Sequence, residues 1–111
     1  MLDLSDTPAG AIARLDAAIA RRGQTIQLRR GAAGPVREGP GFVRGYDVEK
    51  VVGLITLADR KVIISPTDFG SDLPRASDDF ASIGKLGKVQ EVEPIYLAGT
   101  LVRIEMRVRL G

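Results

Sequence analysis

The sequence predicts a mainly β domain: a small β-barrel or sandwich of five to six strands with one N-terminal α-helix. The chain of 111 residues has the length of one domain, which we expect to cover residues 1–111. Apolar residues repeat with a helical period only before residue 23, and afterwards they alternate or form short runs, as in β-strands. Turn residues separate these runs about every 8–12 residues, which is typical of small barrels and sandwiches.

The predicted helix spans about residues 8–22. Thr7 suits the N-cap, and Pro8 suits the first helical position because the helix does not use its missing N–H. Gly23 is a typical residue just beyond a helix C-terminus. The apolar residues at helical spacing are Ile12, Leu15 and Ile19.

The β region should cover about residues 24–111 and begin with an alternating strand at 25–29. Residues 31–41 are rich in glycine and proline, which predicts a long mobile loop. Residues 42–46 are expected to resume a strand, and residues 47–50 to form a turn.

Two hairpins and a long final strand complete the prediction. The first hairpin turns at 58–60 and the second at Gly84-Lys85-Leu86-Gly87. Their strands are residues 51–55 with 61–65, and residues 80–83 with 88–93. The final strand covers 101–110, where apolar residues alternate with Arg103, Glu105, Arg107 and Arg109.

The composition excludes several kinds of chemistry. The chain has no cysteine and no histidine, which excludes disulfides, thiol nucleophiles, imidazole acid–base catalysis and the common zinc ligand sets. No stretch resembles a signal peptide or approaches the roughly 20 apolar residues of a membrane span. We therefore expect a cytoplasmic protein without a cofactor.

Three motifs have a chemical and a structural interpretation. Ser65 lacks a histidine base, so it more plausibly bonds the backbone where Pro66 ends a strand. The aspartates of residues 66–79 fit no EF-hand spacing, and the GxxG at 84–87 lies between predicted strands, unlike an RNA-binding KH loop. We expect no catalytic residue, no metal site and no enzymatic activity.

Two segments carry opposite charge. Six arginines and one glutamate lie between residues 21 and 45, and four aspartates and one arginine between 66 and 79. Such patches can pair between neighbouring copies and build a ring or filament, or they can be two solvated loops. The arginines of the final strand could likewise meet nucleic-acid phosphates, or form a solvated face with Glu105 as partner.

Three blocks of the sequence carry a family resemblance: VRGY (43–46), VVGLITLADRKVIISPTDF (51–69) and VQEVEPIYLAGTLVRIEMRVR (89–109). They resemble the head–tail connector family of tailed phages, whose members are head-closure or stopper proteins and also occur in prophages and gene transfer agents. The similarity covers most of the chain after residue 42. Gly87 stands where relatives have an aromatic residue.

The resemblance implies a β-barrel subunit that assembles as a ring, a hexamer or a dodecamer, in the neck of the virion. It would close the DNA channel after packaging and would be present in the host cytoplasm during assembly. Its partners would be its own copies, the portal or adaptor protein, the tail-terminator or tail-tube proteins, and the packaged double-stranded DNA, with no membrane. The alternatives are an adaptor or tail-terminator ring, or a β-barrel that binds nucleic acid without sequence preference.

Loop 31–41 and the acidic segment 66–79 are the expected contacts between subunits or rings. The candidate contact residues are Val36, Arg37, Glu38, Asp68, Phe69, Asp72 and Arg75. The candidates for facing DNA in the lumen, or an acidic neighbour, are Arg29, Arg30, Arg37 and Arg44.

Overall fold

The structure, a computed structural model, describes residues 7–31, 33–45 and 58–111. These residues form two helices and six strands. The elements are α1 (Pro8–Arg22), β1 (Gln24–Arg29), β2 (Val36–Gly45), β3 (Asp59–Ile64), α2 (Pro66–Phe69), β4 (Asp79–Ser82), β5 (Lys85–Leu97) and β6 (Thr100–Leu110). The predicted turn at 47–50 and the predicted strand at 51–55 lie outside the described residues.

The six strands close into an antiparallel barrel in the order β1-β2-β3-β6-β5-β4. A short ladder between β1 and β4, from Gln27–Ala81 to Arg29–Asp79, completes the ring of strands. The predicted mainly β class is therefore confirmed, and of the two predicted architectures, barrel and sandwich, the structure has the barrel.

Helix α1 has the predicted bounds and the predicted ends. The Thr7 hydroxyl oxygen accepts a hydrogen bond from the Gly10 backbone N–H at 3.0 Å, which satisfies one free donor of the first turn. At the other end the Gly23 N–H donates to the Ile19 carbonyl oxygen at 2.7 Å. The helix packs on β6 and β2, and Ile19 is its buried residue.

The barrel interior is aliphatic with two aromatic residues. Strands β1, β3, β4, β5 and β6 contribute buried side chains because alternate side chains point inward, and β2 contributes the partly buried Val43. The buried core residues are Ile26, Leu28, Val62, Ile64, Phe69, Phe80, Val89, Ile104, Met106 and Val108.

The prediction of a mobile loop over 31–41 is wrong for its second half, because β2 begins at Val36 and pairs with β1. Gly39 lies in this strand because the Phe69 ring covers it: a Cβ at residue 39 would lie 2.9 Å from Phe69 Cε2. Pro40 is tolerated because it pairs with β1 alone, while β3 begins to pair with β2 only at Gly41. Glycine here allows close packing of a strand.

The second predicted hairpin exists with a shorter turn. Its turn consists of Ile83 and Gly84, both with positive φ (47° and 73°), as a two-residue hairpin requires. Lys85, Leu86 and Gly87, predicted as turn, belong to β5. A Cβ at residue 87 would lie 2.6 Å from the Arg109 carbonyl oxygen, so the neighbouring strand leaves no room for a side chain at this position.

The predicted final strand is confirmed as β6, and with β5 it forms a hairpin longer than its neighbours. Strand β4 pairs only with Lys85–Lys88 of β5, and β3 only with residues 104–109 of β6. The rest, which we call the arm, covers residues 91–103; its outer part, residues 95–103, is two-stranded and turns at Ala98-Gly99. Pro94 lies on the outer edge of this arm, where β5 has β6 as its only paired strand among the described residues.

Candidate functional site

The two oppositely charged segments pair with each other inside one chain. Arg30 Nη1 lies 3.1 Å from Asp72 Oδ2, and its Nη2 donates to the Leu73 carbonyl oxygen at 2.8 Å. The nearest distance from Arg30 to the buried Asp78 carboxylate is 3.7 Å. The prediction that these segments pair between copies therefore needs correction, since the β1–β4 ladder already brings them together.

Arg29 makes a second link between the same segments. Its Nη2 lies 3.3 Å from Asp79 Oδ2, and Lys88 Nζ donates to Asp79 Oδ1 at 2.5 Å. The hydrogen bonds from Lys88 and then Arg29 lower the pKa of Asp79. This trio lies on the outer face of the barrel, where solvent screens it.

Arg37 and Phe69, both predicted as contact residues, contact each other. The guanidinium carbon of Arg37 lies 5.9 Å from the centre of the Phe69 ring, and the Arg37 Nη1 donates to the Asp72 carbonyl oxygen. Phe69 has 0% of its surface exposed, so its assignment as an inter-subunit contact is wrong. Helix α2 turns it inward: the Ser65 hydroxyl oxygen accepts from the Thr67 N–H at 3.1 Å and caps that turn.

The other predicted contact residues are spread over the surface. Val36, Glu38, Asp68, Asp72 and Arg75 are exposed, and Glu38 accepts a hydrogen bond from Gln27 Nε2 at 2.9 Å. Val36 lies apart from the Arg30–Asp72 pair, on a groove described below. The structure thus groups Arg30, Arg37 and Asp72.

A buried ion-pair network was missed by the sequence analysis. Arg107 Nη1 donates to Asp59 Oδ2 at 2.9 Å and its Nη2 to Glu91 Oε1 at 2.7 Å. Arg109 Nε donates to Asp59 Oδ1 at 2.7 Å. Asp59, predicted to lie in a turn, is the first residue of β3 and its side chain has 0% exposure. The alternating charges of β6 were the available signal, but their partner could not be identified without the β3–β6 register.

These contacts fix the charge of both arginines. The hydrogen bond to Glu91 raises the pKa of Arg107; burial opposes this, and the bond to Asp59 adds to it. The hydrogen bond to Asp59 also raises the pKa of Arg109. Both arginines therefore stay charged near neutral pH.

Glu105 joins β6 to β3 on the same face. Lys61 Nζ lies 3.1 Å from Glu105 Oε1, and Arg103 Nε donates to Oε2 at 2.7 Å. Burial alone would raise the pKa of Glu105, but the hydrogen bonds from Arg103 and Lys61 together outweigh it and lower that pKa. Glu105 is thus the partner of Arg103, as the second interpretation of this face predicts.

We expect Glu105 to make the fold acid-sensitive. Because its folded pKa is lowered, its stabilisation is complete above the unfolded pKa of about 4.3 and is lost as the pH falls through the folded pKa. Glu105→Gln should therefore be less stable than wild type at pH 7, and the difference should shrink by about pH 3. Urea unfolding followed by circular dichroism measures both. Glu38→Gln, which has only Gln27 as its described partner, is the control; a Glu105→Gln difference independent of pH would contradict the prediction.

A basic cleft lies where the end of α1 meets β2. Arg21, Arg22 and Arg44 line it, together with Ala18, Phe42 and Val43, and its volume is about 390 Å³. All three arginines are exposed. Of the four arginines predicted to face DNA, Arg44 alone has no carboxylate or carbonyl partner among the described residues.

Two apolar surfaces lie near opposite ends of β5. The first is a groove of about 430 Å³ over the outer face of β1, β4 and β5, which we call the apolar groove; Val36, Ala81 and Leu86 line its apolar part, and Gln27, Arg29, Asp79 and Lys88 also line it. The second is the arm tip, where Tyr96 and Leu97 precede the Ala98-Gly99 turn. Leu86 is 69% exposed and Tyr96 56%, which is unusual for large apolar side chains.

The described residues define a class of protein: a small β-barrel with paired surface charges, one basic cleft and two exposed apolar surfaces. Within residues 7–31, 33–45 and 58–111, no group of three or more acidic side chains is arranged to hold a metal ion. Neither described helix is long and apolar enough to cross a membrane. Comparisons with protein-family models, curated proteins and solved structures found no match.

Proposed function

We propose that this protein is a non-enzymatic structural subunit that forms a ring in the neck of a tailed phage, most specifically the stopper that closes the DNA channel. The sequence resemblance suggests the neck. The observation that carries ring formation is the pair of exposed apolar surfaces, the apolar groove and the arm tip, near opposite ends of one strand.

The separation of these surfaces favours a head-to-tail contact. Leu86 and Tyr96 are ten residues apart on β5, about 33 Å at the rise of a β-strand, so the tip of one copy cannot reach its own groove. When two complementary surfaces lie on different parts of one subunit, their contact is heterologous and closes into a ring if the rotation allows. The occupant of the groove is then the arm tip of a second copy.

Charge supports the same pairing. Glu93 is exposed on the arm near the tip, opposite Glu105 in the β5–β6 ladder, and it has no ion pair among the described residues. Lys85 is exposed beside Leu86 at the groove and likewise has no ion pair within the described part of the chain. A tip docked in a neighbour's groove brings these opposite charges to the same interface, which favours the correct partner.

Cysteine cross-linking tests the contact, because the natural chain has no cysteine. We expect the double variant Leu86→Cys/Tyr96→Cys, treated with a short bismaleimide, to give a ladder of covalent oligomers on a denaturing gel. A mixture of the two single variants should give dimers only, since each copy then carries one reactive site. Negative-stain microscopy of the wild-type protein, alone and with its portal-side neighbour, should show rings.

Each single variant alone is the matched control. A dimer from Leu86→Cys alone would indicate a two-fold symmetric contact between grooves and would overturn the head-to-tail arrangement. Strictly monomeric wild-type protein under both microscopy conditions would overturn ring formation. A stopper and an adaptor or tail-terminator ring differ by position in the stack, which the genes on either side would distinguish.

A further inference from the structure

Nine of the twelve arginines fall into two groups; the other three are Arg14, Arg60 and the exposed Arg75. The arginines at the end of β1, at the start of β2 and on the outer face of β6 have carboxylate or backbone carbonyl partners within the chain: Arg29, Arg30, Arg37, Arg103, Arg107 and Arg109. Arg21, Arg22 and Arg44 have no such partner within residues 7–31, 33–45 and 58–111. All three meet in the basic cleft.

Helix geometry explains only part of this cleft. Arg21 and Arg22 occupy the last turn of α1, where cations interact favourably with the helix dipole. Arg44 belongs to β2, so the dipole does not account for its presence. Arg44 also pairs in register with Lys61 of β3, and like charges directly opposite each other destabilise a strand pair. Lys61 is neutralised by Glu105, whereas Arg44 has no carboxylate partner among the residues that the structure describes.

We infer that the basic cleft binds the phosphate backbone of double-stranded DNA through Arg21, Arg22 and Arg44. A guanidinium group can donate two parallel hydrogen bonds to one phosphate, and this geometry favours arginine for phosphate recognition. The choice of double-stranded DNA among polyanions rests on the proposed function, in which packaged DNA passes through the ring.

The remaining cleft residues fit backbone binding. Ala18 and Val43 offer no polar group to read a base edge, and Phe42 is half-buried. Binders of single strands usually present exposed aromatic rings on which successive bases stack. The contact should therefore be electrostatic, insensitive to sequence and strongly dependent on salt.

Fluorescence anisotropy with a labelled DNA duplex tests the inference, using the triple variant Arg21→Gln/Arg22→Gln/Arg44→Gln. Each phosphate contact contributes about 0.9 to the slope of log affinity against log salt concentration, so losing three contacts should lower the slope by about 2.7. At low salt the affinity should fall by about tenfold or more. A single-stranded oligonucleotide of the same sequence should compete less well than the unlabelled duplex.

The matched control is Arg29→Gln/Arg30→Gln/Arg37→Gln, which removes the same charge from arginines that have partners. Its affinity and slope should stay near those of the wild type; circular dichroism checks that both variants fold. Equal losses in both variants, or no change in the cleft variant, would overturn the inference. Negative-stain microscopy keeps the proposed function separate, because the cleft variant should still form rings if only DNA contact depends on the cleft.

Discussion

Replacing Asp59 with alanine is expected to lower the free energy of unfolding by about 3 to 5 kcal/mol. The Asp59 carboxylate is fully buried and accepts hydrogen bonds from Arg107 and Arg109. Arg107 is itself 9% exposed, so the variant leaves its guanidinium buried without the Asp59 carboxylate. Urea unfolding at pH 7, followed by circular dichroism, measures the loss.

Asp72→Ala is the matched control, because Asp72 also pairs with an arginine but is 54% exposed. Its expected effect is about 1 kcal/mol or less, since solvent screens exposed pairs. The double variant Asp59→Ala/Arg107→Met removes both buried charges and should recover part of the stability that Asp59→Ala loses. Equal effects of Asp59→Ala and Asp72→Ala would contradict a buried network.

Elements whose signals are local could be predicted from the sequence. Helix α1 was predicted with its observed bounds because its cap, its proline and its terminal glycine all lie within one short segment. Strand β6 was predicted because its alternation of apolar and charged residues needs no partner to be recognised.

Features set by contacts between distant segments could not be predicted. The glycines of β2 look like a loop in sequence, and contacts with distant residues explain two of them: the Phe69 ring packs on Gly39, and a Cβ at residue 41 would lie 2.9 Å from Ile64 Cγ2. The pairing of Arg30 with Asp72 depends on the β1–β4 ladder, which joins segments about 50 residues apart. Arg44 is one of the residues predicted to face DNA, and its grouping with Arg21 and Arg22 follows from how α1 packs on β2.

These contacts also constrain where a partner can bind. Arg29 at the end of β1 and Arg30 just after it are already paired with aspartates, so a phosphate or an acidic neighbour would have to displace those aspartates. In the basic cleft, no described carboxylate pairs with the arginines, so a phosphate has none to displace there. The apolar groove and the arm tip remain exposed for a second copy, which separates the proposed self-assembly from the proposed DNA contact on the surface of one small barrel.

Phe69→Ala should lower the free energy of unfolding by about 3 to 5 kcal/mol, which urea unfolding would measure. The Phe69 ring is fully buried in the core and lies against the backbone of Gly39 on one side and beneath Arg37. Removing the ring leaves a cavity between α2 and β2 and exposes the glycine-rich strand β2.

A double-mutant cycle with Gly39 tests whether this packing explains the glycine. Gly39→Ala alone should cost about 1 to 3 kcal/mol, because its new Cβ would lie 2.9 Å from Phe69 Cε2. In the Phe69→Ala background the same change should cost clearly less, since the ring contacts at 2.9 and 3.0 Å are gone and the Asp68 Cβ, 3.1 Å away, is the close contact that remains. If the effects of the two substitutions were additive, the cost of Gly39→Ala would not depend on the Phe69 ring, which would contradict this account. A coupling between them would show that the ring is the reason for glycine at residue 39.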